Sequence, residues 1–425
     1  MNFHSTRGGP PIPLADAVLQ GLAPDGGLYV PNHFPRRQPH EFDPESDLAS
    51  IGEQLIRPFF ADDELADGLR DICHEALNFP VPIVETADPD LSILELFHGP
   101  TAAFKDVGAR FLAACLSRLS GDQQPTVMVA TSGDTGSAVA AACAERAGLR
   151  VVILYPRGGV SQRQEHQLTC WGDNVMSLRV AGDFDDCQRL VKAAFMDAQL
   201  RQACPLTSAN SISIARLLPQ MCYYAAASLR WFQQHQTEAN FIVPTGNLGN
   251  ALAGIWARRC GLPIGRMVLA TNANTVIPRF LRSGDWEPGD TVATLASAMD
   301  VGDPSNMERL RHLHPQFEEL RHQVSAFSVT DETISQIIAE SFTTLGMAIC
   351  PHTATAVAAY KHLHDAGPWM ALATAHAAKF EGTVEPLIGQ VVEVPPALNQ
   401  LLGRPVRYTD IEPTFGALRE RLMSW

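Results

Sequence analysis

The sequence is poor in lysine, which narrows the choice of residue for any covalent lysine chemistry. Of its 32 lysine and arginine residues only four are lysines, at positions 105, 192, 361 and 379. The formal net charge of −14 disfavours nucleic acid as a partner, because phosphate backbones are bound by clustered lysines and arginines. A small phosphate ligand is still compatible with this charge if its donors are local.

Paired cysteines and long apolar runs are missing as well. The nine cysteines include no CxxC pair, so a zinc ribbon or a redox motif is not expected. An odd number of cysteines, several of them in apolar runs, is typical of buried, reduced thiols in the cytosol. No stretch reaches the length of a membrane span, and the first residues, MNFHSTRGG, lack the apolar run of a signal peptide. We therefore expect a cytoplasmic protein without a membrane partner.

What the sequence does contain is the alternation of strands and helices typical of an α/β protein. Its 425 residues are 46% hydrophobic, which is enough for two or three lobes around a large core. Buried-type strand patterns separated by helical patterns predict parallel sheets. The predicted strands are 92–96, 126–130, 150–155, 175–180, 241–243, 267–270 and 370–373, and the predicted helices are 47–57, 62–77, 108–119, 137–147, 185–200 and 215–233.

We divide the chain into three parts on this pattern. Residues 1–90 predict an N-terminal helical lobe with proline-rich connections. Residues 91–235 form a second lobe and residues 236–425 a third, with an irregular insertion or helical subregion around 285–330.

The segment HGPTAAFKD at 98–106 contains the first candidate for chemistry, Lys105. Apolar surroundings disfavour the ammonium form of a lysine, so its amine becomes a competent nucleophile for an aldehyde. An isolated lysine is more often a surface residue. Lys192 and Lys361 fit that description, and Lys379 is the one serious competitor. Lys105 is favoured because a Gly-Pro turn and small residues surround it.

The segment FIVPTGNLGNALAGIWA at 241–257 predicts a strand, a glycine-rich turn and a helix. Convergent backbone amides and the positive end of the helix dipole form an anion site there. The segment contains no ionisable residue, so a phosphate would be held by neutral donors. A purely structural strand–turn–helix remains the alternative.

Two further segments are weaker when taken alone. ATSGDTGSA at 130–138 offers the hydroxyls of Thr131, Ser132 and Thr135 to a carboxylate ligand, or simply caps a helix. In NSISIAR at 210–216, Arg216 with Asn210 and Ser211 suits a phosphate dianion. A surface arginine is the alternative.

Together and in this order, these segments resemble threonine synthase of the fold-type II pyridoxal-5′-phosphate (PLP) enzymes. STRGG and GLAPDGGLYVP near the N-terminus and ATAHAAKF at 373–380 complete the resemblance, which runs from Ser5 to the C-terminal region. It implies a tryptophan synthase β-like fold, with two lobes of parallel or mixed sheets covered by helices on both faces. It also implies conversion of O-phospho-L-homoserine to L-threonine by a monomer or homodimer.

The resemblance also implies a role for each position. Lys105 would carry PLP as a Schiff base and move protons, and Thr374 would hydrogen-bond to the ring nitrogen of PLP. Neutral donors of the glycine-rich turn would hold the PLP phosphate: Gly246, Asn247, Leu248, Gly249 and Asn250. The substrate would contact two groups of residues, Thr131, Ser132, Asp134 and Thr135 around its carboxylate and the ring, and Asn210, Ser211 and Arg216 around its phosphate.

Two residues depart from the family pattern. Ala377 stands where the family usually has proline. Asp134 stands where many fold-type II relatives have asparagine, next to the ring oxygen of PLP. An anionic Asp134 would repel that oxygen unless it is turned away or protonated.

Three alternative functions stay open. The chain could be another fold-type II lyase, such as a serine/threonine dehydratase or a β-replacement enzyme, although neither needs the second phosphate site at 210–216. It could be a non-catalytic threonine-synthase-like protein, against which the retained Lys105 argues. A metal enzyme is the third, through the closely spaced pairs His312 and His314 or His362 and His364. Residues two apart on a helix face different directions, so solvated histidines and no metal are expected.

Overall fold

The N-terminal part of the chain combines a small sheet with three helices, in a computed structural model that describes residues 1–121, 124–144, 146–363 and 367–425. Its elements are β1 (Asn2–Ser5), β2 (Ile12–Pro13), α1 (Leu14–Gln20), β3 (Tyr29–Pro31), α2 (Leu48–Ile56) and α3 (Leu69–Ala76), with 3-10 turns at Pro39–Glu41 and Arg57–Phe60. The strands pair antiparallel in the order β2-β1-β3. This sheet was not expected from the sequence, where helical patterns dominate the first ninety residues.

Strands and helices then alternate for the rest of the chain. Up to residue 235 the elements are β4 (Ile83–Glu85), β5 (Leu91–Glu95), α4 (Lys105–Leu119), β6 (Thr126–Ala130), α5 (Asp134–Cys143), β7 (Arg150–Pro156), α6 (Gln162–Thr169), β8 (Val175–Val180), α7 (Phe184–Met196), α8 (Ala198–Ala203), β9 (Leu206–Ser208), α9 (Ile214–Leu217) and α10 (Gln220–His235). Beyond it lie β10 (Ala239–Pro244), α11 (Gly249–Arg259), β11 (Ile264–Thr271), α12 (Val276–Ser283), α13 (Met307–Leu313), α14 (Phe317–Gln323), β12 (Val324–Ser328), α15 (Asp331–Leu345), α16 (Pro351–Lys361), β13 (Trp369–Ala373), α17 (Glu381–Ile388), α18 (Pro396–Leu402), β14 (Thr409–Ile411) and α19 (Phe415–Met423), with 3-10 turns at Ser297–Met299 and Ala377–Phe380.

Two larger sheets organise these elements. One has five parallel strands in the order β14-β8-β7-β6-β9. The other has six strands in the order β12-β11-β10-β13-β5-β4, parallel except for the edge strand β4. Every residue of β6 and of β13 is buried, which explains their continuous apolar runs, since helices cover both faces of such sheets. The predicted α/β fold is confirmed.

One predicted helix is shortened in the structure and two others are divided. The helix expected at 62–77 is confined to Leu69–Ala76, because the Asp63 carboxylate accepts hydrogen bonds from the amides of Leu65 and Ala15 and so favours a turn. The helix expected at 185–200 divides at Asp197, which caps α8 by accepting from the Leu200 amide at 2.7 Å. The helix expected at 215–233 divides before Pro219, which cannot continue a helical hydrogen-bond ladder.

The segment 285–330 is more regular than expected at its end. It contains the short helices α13 and α14, and then β12, which pairs in parallel with β11. The prediction missed this strand because VSAFS is short and carries serines at Ser325 and Ser328. As an edge strand with only Val324 fully buried, it lacks the continuous apolar pattern of a central strand.

Chain order and sheet membership do not coincide. β5 lies in the same sheet as β10, β11 and β13, and β14 joins the sheet of β6 to β9, so each sheet contains strands from distant parts of the sequence. The division at residues 90 and 235 stays a prediction. Within the described ranges, no helix is long and apolar enough to cross a membrane.

Replacing Gly261 with alanine should lower the free energy of unfolding by roughly 2–4 kcal/mol, from backbone strain plus a steric clash. Gly261 has φ +96°, and a Cβ atom there would lie 2.3 Å from the carbonyl oxygen of Arg37. Gly148→Ala is the matched control, since Gly148 has φ +82° with nothing within 4 Å of the added atom. It should cost only about 1–2 kcal/mol. Urea denaturation measures both, and equal losses would contradict the role of the Arg37 contact.

Candidate functional site

The glycine-rich turn between β10 and α11 forms a cradle of neutral donors. A Cβ atom at Gly246 would lie 2.6 Å from the Cα of Met299, so only glycine lets these two backbones approach. Leu248 has a left-handed backbone with φ 62°, which turns the chain into the helix at Gly249. Asn247 is fixed on both sides, because its Oδ1 accepts from the Ser305 amide at 2.6 Å and its backbone oxygen accepts from Asn306 Nδ2 at 3.0 Å.

Asn250 supplies a further donor in the first turn of α11. Its Oδ1 accepts hydrogen bonds from the hydroxyls of Tyr223 at 2.7 Å and Tyr224 at 2.8 Å. Its Nδ2 is buried without a partner among the residues that the structure describes. An unpartnered buried donor is costly, and here it lies at the positive end of a helix. The turn is therefore built to receive an anion.

Lys105 is the first residue of α4, three residues earlier than the helix start predicted from the sequence. Its Nζ lies 4.7 Å from the ring centroid of Phe104. Burial lowers the pKa of Lys105 to about 8, helped by the charges of Arg216 and Lys379 and opposed by that of Asp134. A lysine with this pKa is neutral far more often near pH 7 than an ordinary lysine. The prediction of a nucleophilic amine is therefore supported by its surroundings.

Arg216 is buried, not a surface residue, with 2% of its side chain exposed. Its Nη1 donates to the carbonyl of Ala209 at 2.6 Å, while its Nε has no partner in the described part of the chain. It forms no ion pair there, and burial lowers its pKa to about 10. A Cβ atom at Gly108 would lie 2.9 Å from the Arg216 carbonyl oxygen, so α9 packs directly on the helix that begins with Lys105. Such a buried, unpaired guanidinium calls for an anionic ligand.

The segment that contains Arg216 also contacts the glycine-rich turn. Ser211 Oγ accepts a hydrogen bond from Asn247 Nδ2, and Ser211 O accepts one from Asn306 Nδ2 at 3.3 Å. Asn210 is half-buried beside them. The two predicted anion sites are therefore neighbours.

The ATSGDTGSA segment forms the turn between β6 and α5. Thr131 Oγ1 accepts from the amides of Gly133 at 3.0 Å and Gly136 at 2.8 Å, so the hydroxyl caps the helix as the structural alternative predicted. Ser132 and Thr135 are half-buried. This part of the structure does not by itself distinguish capping from ligand binding.

Thr374 lies immediately after β13 and next to the lysine segment. Its carbonyl accepts from the Phe104 amide at 2.8 Å, and Ala103 forms a bridge with Ala375. Thr374 is buried, with 7% of its surface exposed. Thr374 is thus bonded through its backbone to Phe104, the residue immediately before Lys105.

Lys379 was considered only as a rival to Lys105, and the structure gives it another partner. It is fully buried and forms an ion pair with Asp134 at 2.8 Å. Its Nζ also donates to the carbonyl of Thr101 at 2.8 Å, and Gln164 Nε2 donates to Asp134 at 3.1 Å. Burial alone would raise the pKa of Asp134, but the charges of Lys379 and His352, with hydrogen bonds from Lys379 and Gln164, together outweigh it and the pKa is lowered. Asp134 is therefore a carboxylate whose charge is already neutralised.

His352 is a second residue that sequence reasoning missed. Burial lowers its pKa to about 4, with Asp134 opposing and Lys105 and Lys379 assisting, so it is neutral at pH 7. Its Nε2 accepts from the Ala298 amide at 3.1 Å. The sequence around His352, CPHTAT, gives no sign that this histidine lies near Lys105 and Asp134. The apolar sequence around Lys379, ATAHAAKF, does indicate a buried lysine.

The histidine pairs considered as metal ligands behave differently from each other. His314 is buried rather than solvated, which corrects the expectation for that residue, because it follows α13 into the protein interior. His312 is exposed. His362 is exposed as well, and His364 lies outside the described residues. The described ranges hold no group of three residues suited to a metal ion.

Comparison with known proteins assigns this arrangement to a family. The family model of pyridoxal-phosphate dependent enzymes matches residues 85–374, and the models of the threonine synthase N terminus and C-terminal domain match residues 2–77 and 353–421. The threonine synthase of Serratia marcescens is 41% identical, with 97% of this chain and 96% of the relative covered. The chain belongs to the threonine synthase family.

Solved structures of threonine synthases agree with this assignment. The enzyme from Escherichia coli superposes with a TM-score of 0.93 at 38% identity, with both chains fully covered. The PLP-bound enzyme from Brucella melitensis gives a TM-score of 0.93 at 33% identity and covers 100% of this chain and 99% of its own. The fold-type II architecture and the PLP dependence expected from the sequence are confirmed.

The residues present fit the cofactor of the family. The turn from Gly246 to Asn250 offers backbone amides, a helix N-terminus and the unpartnered Nδ2 of Asn250 to the phosphate. Lys105 offers an amine with a lowered pKa, and Thr374 offers a buried hydroxyl on a residue whose backbone is bonded to Phe104, next to Lys105. The role of each residue stays a prediction.

Replacing Lys379 with methionine should destabilise the apoprotein by about 3–5 kcal/mol, because one partner of a buried ion pair would be left alone. In the intact pair the lowered pKa of Asp134 adds stability above its unfolded pKa, and this is lost as pH falls through the folded value. Without Lys379 we expect burial to raise that pKa. The loss should then be larger at pH 8 than at pH 5, as measured by urea unfolding.

The double variant Lys379→Met with Asp134→Asn is the control. It removes both charges while keeping similar volumes, so most of the stability should return and its dependence on pH should disappear. If the double variant is no more stable than Lys379→Met, the unpaired charge of Asp134 is not the cause of the destabilisation, and the role assigned to the ion pair is wrong.

Proposed function

We propose that this chain converts O-phospho-L-homoserine and water into L-threonine and inorganic phosphate, the last step of threonine biosynthesis. Membership of the threonine synthase family supports PLP-dependent formation of threonine. The observation that carries the choice of substrate is Arg216, a buried guanidinium without a carboxylate partner in the described ranges. It supports a phosphate site beside, and separate from, the glycine-rich turn.

The proposed cofactor contacts use three segments. Lys105 would hold PLP covalently through Nζ, and the neutral donors of Gly246, Asn247, Leu248, Gly249 and Asn250 would hold its phosphate. Thr374 would hydrogen-bond to its ring nitrogen. Asp134, which Lys379 neutralises and holds at 2.8 Å, would then lie near the ring without presenting an unpaired negative charge to it.

The reaction removes protons from Cα and Cβ and breaks the bond between Cγ and the phosphate oxygen, so that phosphate leaves with the bonding electrons. Protons then return to Cγ and Cα, and the hydroxyl group of water joins Cβ while its remaining proton is released. Bound PLP supplies the electron-withdrawing group that acidifies the substrate C–H bonds. The amine of Lys105 takes the Cα proton, a task suited to a pKa of about 8. Arg216, with Asn210 and Ser211, binds the phosphate group and stabilises the negative charge that it carries away.

The substrate carboxylate is assigned to the turn before α5. Thr131, Ser132 and Thr135 present hydroxyls there, and free amides occur at the start of a ten-residue helix. These contacts fix the orientation of the substrate relative to Lys105, which is what makes proton transfer efficient.

A dehydratase or a β-replacement enzyme of the same fold is the alternative function. Such an enzyme has no use for a cation at the position of Arg216, and an unpaired buried charge would only destabilise it. Incubation with O-phospho-L-homoserine, while phosphate and threonine are followed together, decides between them, because a dehydratase would yield no threonine. A monomeric or homodimeric state and a cytoplasmic location stay predictions.

Lys105→Ala should abolish the visible absorbance of the PLP-loaded protein and reduce turnover by about 10²- to 10⁴-fold, the usual contribution of a general base. In the wild-type apoprotein, the rate of PLP capture should rise with pH and level off above pH 8, because the free amine is the reactive form and its pKa is about 8. Stopped-flow absorbance measures this rate.

Lys361→Ala is the control for the lysine assignment. Lys361 is exposed and pairs with Glu340 at 3.2 Å, so its loss should change neither absorbance nor turnover. Peptide mapping after borohydride reduction should place the pyridoxyl label on Lys105, and a label on any other lysine would refute the assignment.

Arg216→Gln should remove the stabilisation of the PLP-loaded enzyme by inorganic phosphate. A ligand at 100 times its Kd raises the free energy of unfolding by about 2.7 kcal/mol. Without phosphate the variant should be at least as stable as the wild type, because it buries no unpaired charge. Thermal unfolding across a phosphate titration measures both effects. Arg118→Gln, at a position paired with Glu75, should respond like the wild type, and a wild-type response of Arg216→Gln would contradict the phosphate site.

A further inference from the structure

A second cavity, of about 750 Å³, lies at the opposite end of α11 from the glycine-rich turn. An eleven-residue helix is roughly 16 Å long, so the cavity is well separated from the PLP site. Its walls come from β1, from β3 and the segment after it, from the C-terminal ends of α11 and α13, and from α14. The lining residues are His4, Val30, Pro31, Asn32, His33, Phe34, Arg36, Arg258, Arg259, His312, Leu313 and Gln323.

The charge of this cavity contrasts with that of the whole chain. Its lining includes Arg36, Arg258 and Arg259 and three histidines but no carboxylate, in a chain of net charge −14. Within the described ranges, none of the three arginines forms an ion pair. Glu238 acts on Arg258 and Glu319 on Arg259 from a distance, yet burial still lowers the pKa of both arginines. The positive charge of the lining is therefore balanced only from a distance, and no carboxylate of the described residues contacts these guanidinium groups directly.

The arginine side chains are held in place by neutral acceptors. Arg258 donates to the carbonyl of Gly265 at 2.9 Å and to Gln323 Oε1 at 2.7 Å. Arg259 donates to the carbonyl of Leu313 at 2.8 Å, and its guanidinium lies 5.8 Å from the ring of Phe34. Neutral acceptors fix a guanidinium without cancelling its charge. The cations are thus oriented before a ligand arrives, which reduces the entropic cost of binding.

Two histidines in and behind the cavity wall have lowered pKa values. His4 Nε2 and His312 Nε2 are 3.4 Å apart, and the partial burial of the His312 ring together with the charge of His4 lowers the pKa of His312. His314, just behind the cavity wall, is buried with no partner on either ring nitrogen among the described residues. Burial and the charges of Arg259 and Arg258 lower its pKa to about 4. Burial is the main cause of both lowered pKa values, and nearby positive charge adds to it.

The helix dipole explains only part of this cluster. Arg258 and Arg259 occupy the last turn of α11, where cations are favourable in any helix. Arg36 and His4, however, come from other elements and converge on the same space. Convergence from three separate elements is what a binding site requires.

We propose that this cavity binds a small anion that carries at least two negative charges, of the polyphosphate or polycarboxylate class. Several arginines with fork-shaped donors suit either group. Phe34, Val30 and Leu313 add an apolar wall for a carbon skeleton. The cavity is too small for a macromolecular partner, and the negative charge of the remaining chain opposes one.

Titration calorimetry with inorganic pyrophosphate and with citrate, on the PLP-loaded enzyme, tests the proposal. We expect saturable binding of at least one probe that weakens with added salt. Arg36→Gln, at an exposed position, and Arg259→Gln should each reduce the affinity at least tenfold. The preferred probe identifies the class, polyphosphate or polycarboxylate.

Two control variants separate this cavity from the rest of the molecule. Arg216→Gln removes the cation assigned to the substrate phosphate, and Arg282→Gln changes an exposed arginine of α12; neither should alter the affinity. The proposal is overturned if neither probe binds, if Arg36→Gln and Arg259→Gln bind like the wild type, or if Arg216→Gln abolishes binding. The last result would assign the probe to the active site and leave the proposed substrate phosphate site intact.

Discussion

An excess of buried positive charge is the constraint around which the active site is built. Lys105, Arg216 and Lys379 lie within electrostatic reach of one another, and Asp134 is the carboxylate that acts on both lysines. One cation is cancelled by a direct ion pair, and the other two remain in a region from which water is largely excluded. In the proposed function, phosphate groups of the cofactor and the substrate would complete the unpartnered donors of Asn250 and Arg216. Binding of these ligands would therefore also stabilise the folded state of the site.

The parallel sheets bring together four segments that are far apart in the sequence. α5 follows β6, α11 follows β10, and Thr374 follows β13, so each segment emerges at the carboxyl end of its strand. β10 and β13 share the six-stranded sheet and β6 belongs to the five-stranded one, and in each parallel sheet the carboxyl ends lie at one edge, where helix N-termini favour anions. The segment of Lys105 is attached by the bridge between Ala103 and Ala375. The order of the strands therefore brings together residues that no single sequence motif would place side by side.

The sequence predicted those parts of the molecule that depend on local pattern. β6 and β8 match their predicted bounds because their apolar runs are continuous or flanked by clear turns. Lys105 could be chosen because only four lysines exist. The pairing of Lys379 with Asp134 joins residues 245 positions apart, and no local pattern encodes it. The edge strand β12 and the burial of His314 were missed for the same reason, since both depend on what packs against them.

α11 connects the two regions of unbalanced charge in this protein. Its N-terminus offers amides to a phosphate, and its C-terminus carries Arg258 and Arg259 at the rim of the second cavity. α13 runs beside it in the same sense, from Asn306, which binds Asn247, to His312 at the cavity. A ligand that moves the far end of either helix must move the turn or strain the helix, because a packed helix is stiff along its axis. α11 and α13 thus join the two proposed anion sites, and by thermodynamic reciprocity any effect of one ligand on the other would be mutual.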